Sequence, residues 1–127
     1  MTGKNIVILG GGIGGLTAAN NLRSRLGKEH QVLLVERRDH FFYPPSYVWL
    51  MVGKRKRSQV SRPLRPLLAG GVELVQREVS SIDTAAHSIA TEDRELAFDY
   101  LVIALGAELA SDAMPGFSDT ALNLYDP

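Results

Sequence analysis

The chain has 127 residues, of which 45% are hydrophobic, and its 14 basic and 14 acidic side chains leave no net charge. It has no cysteine, which excludes a disulfide framework, a thiolate metal site and a thiol nucleophile among these residues. No apolar run approaches the roughly 20 residues of a membrane-spanning helix. The charge is unevenly spread, because residues 1–65 carry a net +9 and residues 66–127 a net −9.

The first 36 residues are predicted to form a strand, a helix and a second strand. A buried strand is expected over Lys4–Leu9, because its apolar residues are continuous. Apolar residues then recur at helical spacing over Ile13–Leu26, and Gly27 supplies a stop signal. The second strand is expected over Gln31–Glu36. This order predicts a βαβ unit at the start of the chain.

A glycine-rich turn, Gly-Gly-Gly-Ile-Gly-Gly at residues 10–15, joins the first strand to the helix. Gly10 permits a tight turn, Gly12 lets the backbone approach a pyrophosphate, and Gly15 lets the helix pack closely on the strand. The N–H groups and dipole at the helix start favour phosphate. Glu36 lies 21 residues after Gly15. Its carboxylate can bind a ribose diol and would repel a 2′-phosphate, so the pattern predicts FAD or NAD and not NADP.

The middle of the chain has a different sequence pattern. Residues 39–53 are rich in aromatic side chains and contain Pro44-Pro45, which excludes a continuing helix or a central strand. A short helix interrupted by prolines is expected over residues 60–68. A third parallel strand is expected over Val72–Gln76.

The last third of the chain changes to a period of two residues. Short strands over residues 78–83, 87–91 and 96–98 predict a small antiparallel meander. The most apolar run of the chain, Leu101–Leu105, then predicts a central parallel strand. Residues 107–127 are expected to be loop. The predicted fold class is therefore α/β, a Rossmann-like parallel sheet with a small antiparallel meander.

This order of motifs resembles the amino-terminal FAD-binding segment of flavoproteins that have two dinucleotide-binding domains. Their second signature is a hydrophobic strand that ends in an Ala-Thr-Gly-like turn, and here Asp99–Gly106 ends in Ala104-Leu105-Gly106. Leu105 stands where threonine is usual, which is more similar to the type-II NADH:quinone dehydrogenases. The resemblance implies an incomplete FAD/NAD(P)-binding domain, with residues 1–127 as a single segment of a longer chain.

The middle stretch points to a subgroup. The run Phe-Phe-Tyr-Pro-Pro-Ser at residues 41–46, together with Trp49, Gly53 and Leu64–Leu68, resembles the sulfide:quinone oxidoreductases. In that family a Pro-Ser-containing loop lies beside the flavin and a basic segment follows it. The resemblance implies an FAD-dependent oxidoreductase that passes electrons from a small donor to a quinone.

Site residues follow from the resemblance, position by position. Glycines 10, 12 and 15 would hold the FAD pyrophosphate, Glu36 the adenosine ribose, and Arg37 would lie beside the adenine. Val79 would offer its backbone to the adenine edge, while Pro45 and Ser46 would lie near the isoalloxazine. The residues expected to bind the cofactor are Gly10, Gly12, Ile13, Gly14, Gly15, Glu36, Arg37, Pro45, Ser46, Val79, Gly106 and Ala107. No catalytic residue is expected in this chain.

Three functional hypotheses remain open from the sequence. The first is a sulfide:quinone-oxidoreductase-like flavoprotein, and the second is a type-II NADH:quinone dehydrogenase. The third is a dinucleotide-binding module without turnover. The redox cysteines and second dinucleotide domain that the resemblance implies are not in this sequence, so we expect the 127 residues alone to be inactive on sulfide and NADH.

The sequence also bears on metal, nucleic acid and lipid as partners. The three histidines, His30, His40 and His87, lack metal-ligand spacing, so no metal is expected. Nucleic acid is not expected, because the basic run Lys54–Arg57 is short and lacks interleaved aromatic residues. The same run is a candidate contact with anionic lipid. The expected location is cytoplasmic, with peripheral contact at the cytoplasmic membrane face, and a homodimer through an open sheet edge is a further hypothesis.

Overall fold

The chain divides into two compact units, and the computed structural model describes residues 3–110, 113–117 and 123. The first unit comprises residues 1–41 and 63–105, and the second comprises residues 42–62 and 106–127. In chain order the helices and strands are β1 Asn5–Leu9, α1 Ile13–Arg25, β2 Gln31–Val35, β3 His40–Phe42, α2 Tyr47–Met51, β4 Ser61–Pro63, β5 Val72–Val75, β6 Val79–Asp83, β7 Ser88–Thr91, β8 Glu95–Ala97 and β9 Tyr100–Ile103.

A four-stranded parallel sheet with the order β5-β2-β1-β9 organises the first unit. β1 pairs in parallel with β2, so that Ile6 lies opposite Val32 and Leu9 opposite Val35. Both inner strands are almost wholly buried, because each is an apolar run with a packed layer on both faces. The predicted α/β fold class is confirmed.

One face of the sheet packs against α1. This cluster contains Ile8, Leu34 and Ala19, all fully buried, with Leu64 filling the space beside them. At the end of α1 the Arg23 guanidinium donates hydrogen bonds to the carbonyls of Leu26, Gly27 and His30. These bonds satisfy backbone carbonyls at the helix C-terminus, where a positive charge is also favourable.

The other face of the sheet carries the antiparallel meander, in the order β6-β7-β8. Ile89 of β7 is fully buried against Val7, Leu9 and Val35. The meander is confirmed as predicted, and it covers the face that α1 leaves open. The outward positions of β6 are polar and exposed, which fits a sheet with one solvated side.

Two expectations about secondary structure are wrong. The run Leu101–Leu105 was expected to lie at the centre of the sheet, but among the described residues β9 is an edge strand, with Tyr100 and Ile103 about 60% exposed. Residues 60–68 were expected to hold a short helix. They form β4, which pairs with β3, and a three-residue 3₁₀ turn at Arg65–Leu67, because prolines 63 and 66 prevent a longer helix.

The 3₁₀ turns Pro44–Ser46 and Arg57–Gln59 flank α2 in the second unit. None of the helices in the described part of the chain is both long and apolar enough to cross a bilayer.

A carboxylate fastens the start of β9 to the start of β1. Asp99 Oδ1 lies 2.7 Å from Lys4 Nζ, and Asp99 Oδ2 accepts a hydrogen bond of 2.8 Å from the backbone N–H of Asn5. The backbone N–H of Asp99 donates in turn to the Asn5 carbonyl at 2.9 Å. The hydrogen bond from Lys4, followed by that from Asn5, lowers the pKa of Asp99.

Replacing Asp99 by asparagine is expected to weaken the dependence of thermal stability on pH in the acidic range. Because the folded-state pKa of Asp99 is below its ordinary value of 3.8, the ionised carboxylate stabilises the fold above that value, and the gain is lost as the pH falls through the folded pKa. The thermal midpoint of Asp99→Asn should therefore be lower than that of the parent chain near neutral pH, and the gap should close in acid.

Glu92→Gln is the matched control, because it removes the same charge from an exposed position. It should leave the thermal midpoint within experimental error across the same pH range. A gap for Asp99→Asn that stays constant into acid would contradict the role of the ionised carboxylate.

Candidate functional site

The turn after β1 requires glycine at position 10. Gly10 has φ of +98°, in the region that disfavours side chains, and a Cβ there would collide with the carbonyl oxygen of Ala104. Its N–H donates to the Val35 carbonyl at 2.9 Å. The turn is thus held between the ends of β2 and β9, at the carboxyl edge of the sheet, where ligands of open α/β sheets bind.

The first turn of α1 presents an exposed backbone. Gly12 is the N-cap, with no capping side chain, and the first turn contains no acidic residue. Gly12, Ile13 and Gly14 are all exposed, and a Cβ on Gly12 would meet no atom within 4 Å. The leading N–H groups of a helix have no partner within the helix. This open, acid-free helix start can accept a phosphate group.

Gly15 sets the distance between helix and strand. It is buried, and a Cβ built on it would overlap the carbonyl oxygen of Gly10. Only glycine lets α1 approach β1 this closely, which brings the exposed N–H groups of the first turn to the end of the strand.

Glu36 follows β2, and two backbone groups orient its carboxylate. Oε2 accepts a hydrogen bond of 2.6 Å from Gly11 N–H, and Oε1 accepts one of 2.9 Å from Arg38 N–H. Each oxygen retains acceptor capacity for a ribose hydroxyl. The carboxylate is therefore fixed next to the glycine turn rather than free in solvent.

The prediction from sequence missed Gly11. Gly11 is buried, and a Cβ there would press on the side chains of Leu64 and Glu36. Its position as the second glycine of the run was the available signal, but its contact with Glu36 crosses 25 residues of sequence. Only the paired strands reveal that contact.

An ion pair links Arg37 to Glu78, the residue that precedes Val79. Arg37 Nη1 is 3.2 Å from Glu78 Oε1, and both side chains are more than half exposed. Glu78 precedes Val79, the half-buried first residue of β6. The predicted contacts of Arg37 and Val79 with adenine stay predictions.

Four other predicted site residues belong to the second unit. Pro45 is exposed and Ser46 is buried in a 3₁₀ turn, where Ser46 Oγ accepts a hydrogen bond of 2.9 Å from Arg55 Nη1. Gly106 has φ of +78°, and Ala107 is exposed. The structure gathers the glycine turn and Glu36 in the first unit, and the isoalloxazine contacts of the Pro-Ser turn remain predictions.

A shallow cavity of about 620 Å³ lies at the opposite edge of the sheet. Arg23, Gln31 and Gly71 line it, near the starts of β2 and β5. The amino ends of parallel strands are not where such sheets bind cofactors, so the site is placed at the glycine turn. Among the described residues, no group of three or more His, Cys, Asp or Glu side chains could hold a metal ion.

Comparison with known proteins agrees with this geometry. The sequence model of the family described as "Pyridine nucleotide-disulphide oxidoreductase" matches residues 4–126. The chain belongs to the pyridine nucleotide-disulphide oxidoreductases. The prediction of an FAD-binding segment from a flavoprotein of this kind is confirmed, and the members of this family bind FAD.

Individual members of the family are similar over most of this chain. Sulfide-quinone reductase from Aquifex aeolicus (strain VF5) is 37% identical, covering 87% of this chain and 26% of the relative. The solved sulfide:quinone oxidoreductase from the same organism has a TM-score of 0.76 at 33% identity, covering 84% of this chain and 25% of the other. NDH2 from Plasmodium falciparum in complex with NADH has a TM-score of 0.75 at 26% identity, covering 91% and 25%.

The chain therefore spans about a quarter of the length of these pyridine nucleotide-disulphide oxidoreductases. One kind of relative is named for sulfide and quinone, and the other was solved in complex with NADH. The similarity to both confirms the family and the fold, and it does not distinguish between the two kinds of relative.

Two glycine substitutions in this site should lower stability by very different amounts. Gly15→Ala should lower the free energy of unfolding by about 3 kcal/mol, because the added methyl group overlaps a backbone carbonyl that cannot move without shifting α1. Gly12→Ala should cost less than about 1 kcal/mol, because its Cβ enters open space at an ordinary φ of −74°. Urea unfolding followed by circular dichroism measures both. Equal losses would contradict the assigned packing.

Proposed function

We propose that the glycine turn and Glu36 form the pyrophosphate- and ribose-binding wall of an FAD site, in a flavoprotein that passes electrons to a quinone. The observation that carries the proposal is the Glu36 carboxylate, fixed by Gly11 and Arg38 N–H groups beside the open start of α1. An anion-accepting helix start and an oriented acceptor for a ribose diol are the two parts that bind an adenosine diphosphate group.

The residues present fit the group. The first turn of α1 would receive the pyrophosphate, since it has exposed glycines and no acidic residue of its own. The fixed negative charge of Glu36 favours an unmodified ribose over one with a 2′-phosphate. The bound flavin would supply the redox chemistry, while the described residues bind and orient its adenosine half.

We favour sulfide as the electron donor of the longer protein. The run at residues 41–46 supports this, as does the 37% identity to the Aquifex aeolicus sulfide-quinone reductase. The chain has no cysteine, so any thiol chemistry on sulfur would use residues outside it. NADH is the second candidate, which is supported by Leu105 in the Ala-Leu-Gly turn and by the similarity to the NADH-bound NDH2 structure.

Substitution of Glu36 should separate FAD from FMN. Glu36→Gln replaces a charge-assisted hydrogen bond with a neutral one, and the loss of about 1.5 kcal/mol should weaken FAD binding about tenfold. FMN lacks the adenosine ribose, so its affinity should change less than about twofold. Titration of the purified chain, followed by quenching of flavin fluorescence, measures both affinities.

Glu73→Gln is the control, because it neutralises an exposed carboxylate on β5. It should change neither affinity, and urea unfolding should show that all variants are folded. Equal weakening of FAD and FMN by Glu36→Gln would show that Glu36 does not contact the adenosine ribose. No FAD binding by the parent chain would contradict the proposed site as a whole.

A further inference from the structure

Leu64 packs directly behind the glycine turn. Its side chain is fully buried in the cluster on the face of the sheet that α1 covers. A Cβ built on Gly11 would lie 2.8 Å from Leu64 Cδ2 and 2.9 Å from Glu36 Cγ. The leucine side chain and the stem of the glutamate therefore converge on one backbone position, that of the residue whose N–H group holds Glu36 Oε2. All three residues belong to the first unit.

The segment that carries Leu64 is held by the side-chain amide of Asn20, a residue of α1. Asn20 Nδ2 donates to the Leu67 carbonyl at 2.9 Å, and Oδ1 accepts a hydrogen bond of 2.8 Å from Ala69 N–H. On the other side, Leu64 N–H donates to the Asp39 carbonyl at 2.8 Å. Leu64 is thus fixed between a backbone hydrogen bond at its own position and an amide clamp a few residues later.

Asparagine at position 20 matches its two partners in a way that other side chains would not. Asparagine has a low helix propensity, so its place inside α1 has a cost that a tertiary contact can offset. One half of the amide donates to a carbonyl and the other half accepts from an N–H group. Aspartate lacks the donor, and alanine lacks both groups. Asn21, by contrast, donates to the Thr17 carbonyl of its own helix at 2.9 Å.

We propose that Leu64, held in place by Asn20, is a positioning residue for the ribose-binding carboxylate of Glu36. The inference rests on the proposed FAD site. Glutamate has a flexible side chain, and any freedom that it keeps before binding must be lost when it binds the ribose hydroxyls. Leu64 limits that freedom in advance, because it fills the space into which the turn and the glutamate stem would otherwise relax.

Removal of the Leu64 side chain should therefore affect FAD more than FMN. Leu64→Ala should weaken FAD binding about fivefold, because the carboxylate must then be ordered during binding. FMN lacks the adenosine ribose, so its affinity should change less than about twofold. Leu64→Met nearly conserves the side-chain volume and should retain the FAD affinity of the parent chain. Titration of the purified chain, followed by quenching of flavin fluorescence, measures each affinity.

Asn20→Ala tests the same role without removing a core side chain. It should weaken FAD binding about threefold and change FMN binding less than about twofold. Asn21→Ala is its matched control, because it removes a hydrogen bond made within the helix, and it should change neither affinity.

Ile6→Ala is the control for lost core volume. Ile6 belongs to the same buried cluster as Leu64 but lies at the amino end of β1, away from the glycine turn. Ile6→Ala should leave the ratio of the FAD and FMN affinities unchanged. Circular dichroism should show that every variant is folded, and if Leu64→Ala is not, Asn20→Ala decides the question.

A double-variant cycle shows whether Leu64 acts through Glu36. Glu36→Ala removes the carboxylate, so adding Leu64→Ala or Asn20→Ala to it should lower the FAD affinity less than about twofold further. Three results would overturn the inference: losses that multiply in the double variants, equal weakening of FAD and FMN, or no effect of either single variant on FAD. Unchanged FAD affinity in Glu36→Gln would instead refute the proposed ribose contact, and the inference would fall with it.

Discussion

The close approach of α1 to β1 is the constraint on which the rest of the site depends. Gly15 rests against the Gly10 carbonyl at a distance that no other residue allows. This contact fixes where the helix begins and directs its first N–H groups past the carboxyl end of the sheet. If the helix stood further from the strand, the exposed glycines at its start would no longer lie next to Glu36.

Two carboxylates anchor opposite ends of β1 by the same interaction, a hydrogen bond accepted from a backbone N–H group. Asp99 accepts a hydrogen bond from Asn5 N–H where β1 begins, and Glu36 accepts one from Gly11 N–H just after β1 ends. Asp99 ties β1 to β9, whereas Glu36 ties the turn to β2. Only Glu36 lies at the edge of the sheet where a cofactor can reach it. The hydrogen bond is therefore structural at Asp99, whereas the carboxylate of Glu36 is also available for binding.

The local sequence pattern was sufficient to predict an element where one short segment contained all the information. The apolar runs of β1 and β2, the glycine spacing and the period-two meander each predicted their element correctly. It failed for residues 60–68, because prolines 63 and 66 divide the apolar pattern into pieces too short for a helix. The local pattern also failed for β9. A run that is apolar throughout is typical of a central strand, but it does not show how many neighbouring strands the described chain contains.

The sequence by itself determined the fold class, the family resemblance and the glycine turn, because glycine spacing and strand periodicity are local properties of a polypeptide. Only the tertiary structure showed that Gly11 fixes the Glu36 carboxylate and that Lys54 and Arg55 pack on Trp49. The first contact joins residues far apart in the chain, so it exists only once β1 and β2 are paired. The contact of Lys54 and Arg55 with Trp49 depends on how the turn after α2 folds back on the helix end, and residue order does not specify that direction.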